Sequence, residues 1–335
     1  MTDPCEPGIP PRPAADLPTQ LGQGGQGGQL GQGGQGGGPR RAERSQGELR
    51  REATSLAELL GLTVDPGELR GSFVADTHLL NTRGTLWGGC GLAAAIAFVQ
   101  ACGGRDCVWA HTQFLSPVRA GEEVELSVDP GTGGLSQAVV RATAAGRLVF
   151  LAGGTFSRVS GVVSRFGPAG DWAPDPDGCP PREYPTWLEF PRDGVISLVE
   201  QRWARPARTD LDGRPGGGSS ALWLRLRPRL PLDAAVLALL GDFAPVGLIE
   251  ATGDMAAGTS LDNSLRIVSP PVGEWVLLDV RVEAIVRNVA QVRGRMYDRA
   301  GALVATVSQT TLVHRVRPPS PVSRGDHLSP ASTAR

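Results

Sequence analysis

The same order of helix and strand patterns occurs twice in this chain of 335 residues. In the first copy, an apolar helix at 88–104 ("GGCGLAAAIAFVQACGG") precedes four strand-like runs between 107 and 156. In the second copy, the helix at 231–252 precedes four such runs between 260 and 313. A duplicated α+β unit predicts two copies that pair through a shared sheet edge, because pairing protects edges that would otherwise aggregate. We therefore expect a pseudo-twofold double domain.

The ends of the predicted strands support the duplication. The segment "FLSPVRAGE" (114–122) is echoed by "IVSPPVGE" (267–274). Likewise "AAGRLVFLAGGTF" is echoed by "RAGALVATVSQTTL", and each of these hairpins turns at a glycine. Aligning the two hairpins on that glycine places Gly154 opposite Gln309, so the first copy lacks the amide that the second copy carries. This difference indicates one working site per chain.

Three segments flank or separate the two units. Residues 1–47 are Pro-rich and then Gly/Gln-rich, with too little apolar surface to offset the entropy of ordering, and predict a disordered low-complexity tail. Residues 317–335 predict a second disordered tail. Residues 161–195 are dense in proline and turn residues, which is typical of a linker that packs over the surface.

Charge and residue usage exclude several classes of function. The net charge is −1, so no positive field would attract nucleic acid or an anionic membrane. The chain has no lysine, which removes Schiff-base and P-loop chemistry. Its five cysteines lack paired spacing, and its four histidines lack ligand spacing, so neither a disulfide framework nor a metal site is expected. No signal pattern or membrane span is evident, which predicts a cytoplasmic protein.

The quoted motifs resemble the acyl-CoA thioesterase II family over about residues 56–316. The resemblance rests on "LLGLTVDPGELRGSF", "LWGGCGLAAAI", "LWLRLRPRLP", "LLGDFAP", "TSLDNSLRIVSPPVGEWVLLDV" and "GALVATVSQTTL". It implies an α+β double hot-dog fold, in which each of two tandem units wraps a curved antiparallel sheet around a long helix. The N-terminal hot-dog would cover 48–160 and the C-terminal hot-dog 196–316.

The resemblance also implies a catalytic trio of an acid, a hydroxyl and an amide. The acid falls on Asp242 in "LLGDFAP", the hydroxyl on Ser260 in "TSLDNS", and the amide on Gln309 in "TVSQTT". Because the interval from Asp242 to Ser260 is short for the family, Thr259 is an alternative hydroxyl. Asp262 is a secondary candidate that either lies beside the site or bonds the backbone.

The residues around these candidates give the trio a chemical rationale. Asp242 stands in an apolar helical run, where partial desolvation would raise its pKa into the range of a general base. Pro245 lacks an N–H and is expected to bend the helix, opening the turn that bears Asp242. From the pattern alone, a solvated acid on a polar stripe is the alternative. The resemblance favours the catalytic interpretation.

The first copy is expected to supply oxyanion donors. "WGGCG" (87–91) enters a helix, where unpaired N–H groups point at any anion, and Gly88 and Gly89 allow close approach of a substrate. Close packing of the helix is an alternative role that can coexist with this one. Cys90 is a weak candidate for a nucleophile, because no histidine lies near it in the sequence. Asn263 and Trp87 depart from related thioesterases, in which histidine is common at these places.

The resemblance implies hydrolysis of acyl-CoA thioesters to free acid and coenzyme A, within fatty acid metabolism. The partner would be an acyl-CoA whose chain lies in an apolar channel, no cofactor would be needed, and homo-oligomers are common in the family. Two alternatives stay open. A hot-dog enoyl-CoA hydratase would need an Asp/His pair, and a non-catalytic acyl-CoA-binding protein would keep the fold without turnover.

Overall fold

The apolar run that begins at residue 88 is helical in the computed structural model. The structure describes residues 52–129, 136–158, 166–186, 193–206 and 208–316. The predicted tails at 1–47 and 317–335 lie outside these residues, as do parts of the predicted linker.

Short helices and turns alternate with strands along the described chain. The α-helices are α1 (Leu56–Leu60), α2 (Gly88–Gly103), α3 (Val195–Leu198), α4 (Ala234–Gly241) and α5 (Gly247–Thr252), and single 3₁₀ turns occur at Thr77–Leu79, Pro176–Gly178 and Ala244–Val246. The strands are β1 (Thr63–Asp65), β2 (Arg70–Val74), β3 (Asp106–Phe114), β4 (Glu123–Asp129), β5 (Gln137–Ala144), β6 (Arg147–Ser157), β7 (Val199–Trp203), β8 (Ser219–Leu226), β9 (Ala256–Ser260), β10 (Asp262–Ile267), β11 (Val276–Val286), β12 (Val289–Asp298) and β13 (Leu303–Arg315).

These strands form one antiparallel sheet in which the second half repeats the strand arrangement of the first half in reverse order. The order is β1-β2-β4-β5-β6-β3-β10-β13-β12-β11-β8-β7. Strand β9 is not part of this order and pairs with β13. The junction is the pairing of β3 with β10, where His111 lies opposite Ser264 and Thr112 opposite Asn263. Each half therefore repeats the other about this junction. The predicted pseudo-twofold α+β double hot-dog, joined through a shared edge, is confirmed.

The two long apolar segments form the helical layer of the fold. Helix α2 is apolar on all sides and mostly buried, which is typical of a helix enclosed by its own protein. It ends as predicted, at Gly104, whose φ of 57° suits glycine. Helix α4 begins at Asp233, which accepts a capping hydrogen bond from the Val236 N–H at 2.7 Å. The main core lies between these helices and the sheet.

The helix predicted at 231–252 is interrupted rather than continuous. Helix α4 stops at Gly241, Asp242 has φ −72° and ψ 0°, and the 3₁₀ turn that contains Pro245 leads into α5. Proline in this position removes a helical hydrogen bond and crowds the preceding turn. The acid therefore stands where the helix breaks. This region, Ala234–Thr252, is apolar and long enough to cross a membrane by length and composition, but 72% of its most apolar window is buried inside the protein, as in a core helix.

The described part of the linker packs against the second half of the sheet. The Trp223 indole N–H donates to the carbonyl of Pro174 at 2.8 Å, and the Gly170 N–H donates to the carbonyl of Gly301 at 2.9 Å. A second, smaller core forms beneath it from eight buried side chains, which are Cys179, Ala204, Ala221, Trp223, Trp275, Leu277, Tyr297 and Leu303. This half of the sheet is thus covered by the helices on one face and by the linker on the other.

Candidate active site

The Asp242 carboxylate is the centre of a buried polar cluster where the two halves meet. The side chain is only 3% exposed. One oxygen, Oδ2, accepts a hydrogen bond from the backbone N–H of Gly89 at the start of α2, at 2.7 Å. The other, Oδ1, accepts from the hydroxyl of Ser260 at 3.1 Å and from the side-chain amide of Gln309. The Asp242 carboxylate therefore contacts both halves of the chain, through helix α2 in the first half and through β9 and β13 in the second.

Burial and hydrogen bonding act in opposite directions on this acid. Burial raises the pKa of Asp242, because the charged form loses hydration. Hydrogen bonds from Gly89, Ser260 and Gln309 lower it, since each stabilises the carboxylate. Burial is the larger effect, and the pKa of Asp242 rises to about 6. An acid with this pKa is ionised at neutral pH yet accepts a proton more readily than an exposed carboxylate, as a general base must.

Ser260 and Gln309 also contact each other, so the three side chains form a closed triangle. Ser260 ends β9, and Gln309 lies on the buried face of β13. The Gln309 amide nitrogen donates to the Ser260 hydroxyl at 2.6 Å as well as to Asp242. Because a carboxylate only accepts, the amide must present its nitrogen to Asp242. The structure thus brings the whole predicted trio together.

The triangle leaves one buried acceptor without a protein partner. The Gln309 carbonyl oxygen, Oε1, is buried and has no hydrogen-bond partner among the described residues. Buried acceptors are normally satisfied, by protein or by ordered water. Oε1 is therefore an acceptor available to a water molecule, on a side chain whose amide nitrogen contacts both Ser260 and Asp242.

The two alternates lie outside this triangle. Thr259 is exposed, and its hydroxyl bonds the Arg83 guanidinium at 2.7 Å and the His314 ring at 2.9 Å. Asp262 is exposed and accepts from the backbone N–H of Thr310 at 2.7 Å. Thr259 faces the opposite side of β9 from Ser260, because successive strand residues alternate between the two faces. For the same reason, Asp262 faces the opposite side of β10 from the buried Asn263. Of the two predicted hydroxyls, Ser260 is the one that contacts the acid.

Gly88 and Gly89, whose predicted role as oxyanion donors stays a prediction, both lie against Asp242. The N–H of Gly89 is already donated to Asp242, and a Cβ at this residue would lie 2.7 Å from the Leu239 carbonyl oxygen. A Cβ on Gly88 would lie 2.9 Å from the Phe114 ring and 3.1 Å from Asp242 Oδ2. Both glycines are therefore closely packed, and the Gly89 N–H is committed to the Asp242 carboxylate.

Asn263 also belongs to the cluster around Asp242, although the sequence motifs do not assign it there. It is 2% exposed, and its amide nitrogen approaches Asp242 Oδ1 at 3.5 Å. Strand alternation could have identified it, because Leu265, two residues on, is an obvious core residue that shares its face. A buried amide on the core face of β10 indicates a polar neighbour.

Cysteine and metal chemistry find no support at this site. Burial, with the nearby Asp242 charge as a smaller cause, raises the pKa of Cys90 far above neutrality, so its thiol is not poised as a nucleophile. Among the residues that the structure describes, no group of three or more His, Cys, Asp or Glu could hold a metal ion.

The position on β6 that corresponds to Gln309 on β13 carries no amide side chain. The hairpins turn at Gly146 (φ 76°) and Gly301 (φ 80°), which makes Gly154 the equivalent of Gln309. Gly154 pairs with Ala110 across β6 and β3. The row that bears Gln309 in the second half thus bears Gly and Ala in the first, as the alignment of the repeats predicts.

Comparisons with known proteins agree with this architecture. A family model described as the acyl-CoA thioesterase C-terminal domain matches residues 176–313. A solved structure described as a candidate thioesterase from Novosphingobium aromaticivorans is 31% identical, with a TM-score of 0.65, over 75% of this chain and 97% of that one. No curated protein sequence matches significantly.

Two more distant structures show the fold. A hot-dog protein of unknown function from Alicyclobacillus acidocaldarius is 17% identical, with a TM-score of 0.66, over 79% of this chain and 98% of that one. An acyl-CoA thioesterase II from Mycobacterium marinum is 21% identical, with a TM-score of 0.58, over 79% of this chain and 99% of that one. The 31% identity over nearly a whole thioesterase chain, with the family model and the duplicated fold, places this protein in the acyl-CoA thioesterase II family.

Proposed function

We propose that the protein hydrolyses acyl-CoA thioesters with a water molecule activated by Asp242. The observation that carries the proposal is the contact of Asp242, Ser260 and Gln309 in one buried cluster. These residues are far apart in the chain, and a carboxylate shared by a hydroxyl and an amide serves no obvious packing purpose. The raised pKa of Asp242 supports a role as general base.

The proposed reaction begins with the water held beside the triangle. Gln309 Oε1 and the Ser260 hydroxyl orient it, and Asp242 removes one of its protons while the water oxygen attacks the thioester carbonyl carbon. The resulting tetrahedral oxyanion collapses and the carbon–sulfur bond breaks. The thiolate of coenzyme A leaves with the proton that Asp242 received, and the products are the free acid and the thiol.

In this proposal the substrate enters where the two halves of the chain meet. Trp87 and Phe243 flank the cluster in sequence, with ring centroids 5.0 Å apart, and the Phe114 ring lies against Gly88. These aromatic side chains form an apolar surface near the carboxylate, which suits an acyl group. The working units would be the predicted halves, 48–160 and 196–316, because the site takes residues from both.

A thiol-release assay over a panel of acyl-CoAs tests the proposal. The wild-type protein should release coenzyme A, detected with a thiol-reactive dye, and Asp242→Asn should lower kcat by about 10²–10⁴-fold. Asp262→Asn is the matched control, because this acid faces away from the cluster and bonds Thr310. Absence of thiol release by the wild type, or equal activity in Asp242→Asn, would disprove the proposed function.

A further inference from the structure

Thr112 lies in the same row of side chains as the residues around the base. It belongs to β3 in the first half and pairs directly with Asn263 across the junction with β10. Directly paired residues of neighbouring antiparallel strands point to the same face of the sheet. The Asn263 amide contacts Asp242. Phe114, two residues after Thr112 on the same face of β3, packs its ring against Gly88. Thr112 therefore lies between Asn263, which contacts the Asp242 carboxylate, and Phe114, which packs against Gly88.

The hydroxyl of Thr112 is buried without a partner. The residue is 0% exposed, and among the described residues its Oγ1 has no hydrogen-bond partner. An unsatisfied buried hydroxyl lowers stability, and valine would fill the same volume without that cost. The repeat illustrates this, since the equivalent position in the second half is the fully buried Leu265. The fold itself does not need a hydroxyl at this position.

The chemistry needs a hydrogen-bond donor aimed at the thioester carbonyl oxygen, and two groups beside Asp242 are already committed to other acceptors. The thioester carbonyl oxygen gains negative charge as water attacks, and a donor aimed at it lowers the barrier. The N–H of Gly89 is occupied by Asp242 Oδ2, and the Gln309 amide is occupied by Asp242 and Ser260. A further buried donor, on the residue paired with Asn263, is the Thr112 hydroxyl.

We propose that the Thr112 hydroxyl donates to the thioester carbonyl oxygen and stabilises the oxyanion. This inference rests on the proposed function and assigns a catalytic residue from the first half to the site of the second. No covalent change occurs at Thr112, which keeps its proton throughout. The assignment explains why the site spans both halves although the acid, the serine hydroxyl and the amide all come from the second.

Kinetics of matched variants provide one test. Thr112→Val removes the hydroxyl but keeps the shape, and should lower kcat by about 10²-fold or more while leaving KM within about threefold. Thr112→Ser keeps the hydroxyl and should retain most of the activity. Ser220→Ala is the control, because it removes a buried hydroxyl from β8, which β11, β12 and β13 separate from β10. The melting temperature of Thr112→Val should be unchanged or raised.

Infrared spectroscopy tests the contact without turnover. A hydrogen bond lowers the stretching frequency of a carbonyl, so acyl-CoA labelled with ¹³C at the thioester carbonyl should absorb at higher frequency when bound to Asp242→Asn/Thr112→Val than to Asp242→Asn. Equal frequencies, full activity in Thr112→Val, or an equal loss in Thr112→Ser would overturn the assignment. Wild-type protein that binds acyl-CoA with the lowered frequency but releases no thiol would instead refute the hydrolysis and leave the contact established.

Discussion

The backbone N–H of Gly89 donates to the carboxylate of Asp242 at 2.7 Å, across 153 residues of sequence. This bond joins the start of α2 in the first half to the end of α4 in the second. It satisfies one of the N–H groups that every helix leaves free at its start, and it fixes one oxygen of the Asp242 carboxylate. The other oxygen is left to Ser260 and Gln309.

Replacing Gly89 tests the importance of this bond. In Gly89→Ala the new Cβ would lie 2.7 Å from the Leu239 carbonyl oxygen and 2.8 Å from the Asp242 Cβ, so the two helices must separate. We expect loss of both stability and activity, with a melting temperature lower by several degrees, as a core clash of about 1–3 kcal/mol implies. Thermal unfolding followed by circular dichroism measures it, and an unchanged melting temperature would contradict the packing.

The two neighbouring hydroxyls should differ sharply in function. Ser260 contacts Asp242, whereas Thr259 is exposed and bonds Arg83 and His314. Ser260→Ala is expected to lower kcat by about tenfold or more, and Thr259→Val to change it less than about threefold. Steady-state thiol release measures both. A larger loss in Thr259→Val would transfer the hydroxyl role to Thr259.

Catalysis should depend on both the nitrogen and the oxygen of the Gln309 side-chain amide. Its nitrogen donates to Asp242 and Ser260, and its oxygen is the buried acceptor available to water. Gln309→Glu keeps the shape but replaces a donor with a second acid beside Asp242. Like charges at this distance raise pKa values, so the acid limb of the pH profile should move to higher pH as kcat falls. An unshifted pH profile would show that residue 309 does not influence the pKa of Asp242.

The pH dependence of catalysis follows from the pKa of Asp242. The base must be ionised, and its pKa is raised to about 6 by burial. The value of kcat/KM should therefore fall about tenfold per pH unit below this pKa and level off above it. Asp262→Asn should show the same limb as the wild type. A limb near pH ~4, the range of an exposed carboxylate, would contradict the buried environment.

Stability should change with pH in the opposite sense to activity. The folded-state pKa of Asp242 is raised above its unfolded value, so ionisation destabilises the folded protein. The contribution of Asp242 to the free energy of unfolding should fall as the pH rises from about 4 to about 6, through the two pKa values, and Asp242→Asn should lack this fall. Urea unfolding at several pH values gives the comparison. Identical slopes for the two proteins would show that the carboxyl is not desolvated.

Much of the fold follows from local patterns in the sequence. Apolar patterns predict eight of the described strands, β3 to β6 and β10 to β13, and the repeat predicts how the halves join. Strands β1, β2, β7 and β8 are not predicted. Strand β9 is not predicted, because "AAGTS" has no such alternation and is defined by its pairing with β13. The pattern around Pro245 predicts only a bend. The structure instead ends the helix at Gly241, because the chain beyond Asp242 adopts 3₁₀ geometry.

The site shows the same division between local and distant information. The family resemblance identifies Asp242, Ser260 and Gln309, whose contact no local pattern reveals. It does not separate Ser260 from Thr259, because their side chains differ only in the face to which the strand directs them. Strand alternation can indicate that Asn263 is buried, but its contact with Asp242 and the bond from Gly89 escape sequence reasoning, since both contacts depend on packing between distant segments.

The central claim, that Asp242 activates water rather than attacking the thioester itself, is tested most directly by a single turnover in H₂¹⁸O. With enzyme in excess over acyl-CoA, activation of water places ¹⁸O in the released acid, and mass spectrometry of the protein finds none in the Asp242 peptide. An attack by the carboxylate would instead form an acyl–aspartyl anhydride, which is detected either as an acyl adduct on the Asp242 peptide after rapid acid quenching or, when water attacks its aspartyl carbon, as ¹⁸O in Asp242 and unlabelled acid. The first result is the one that the proposed mechanism predicts, and the second would contradict it.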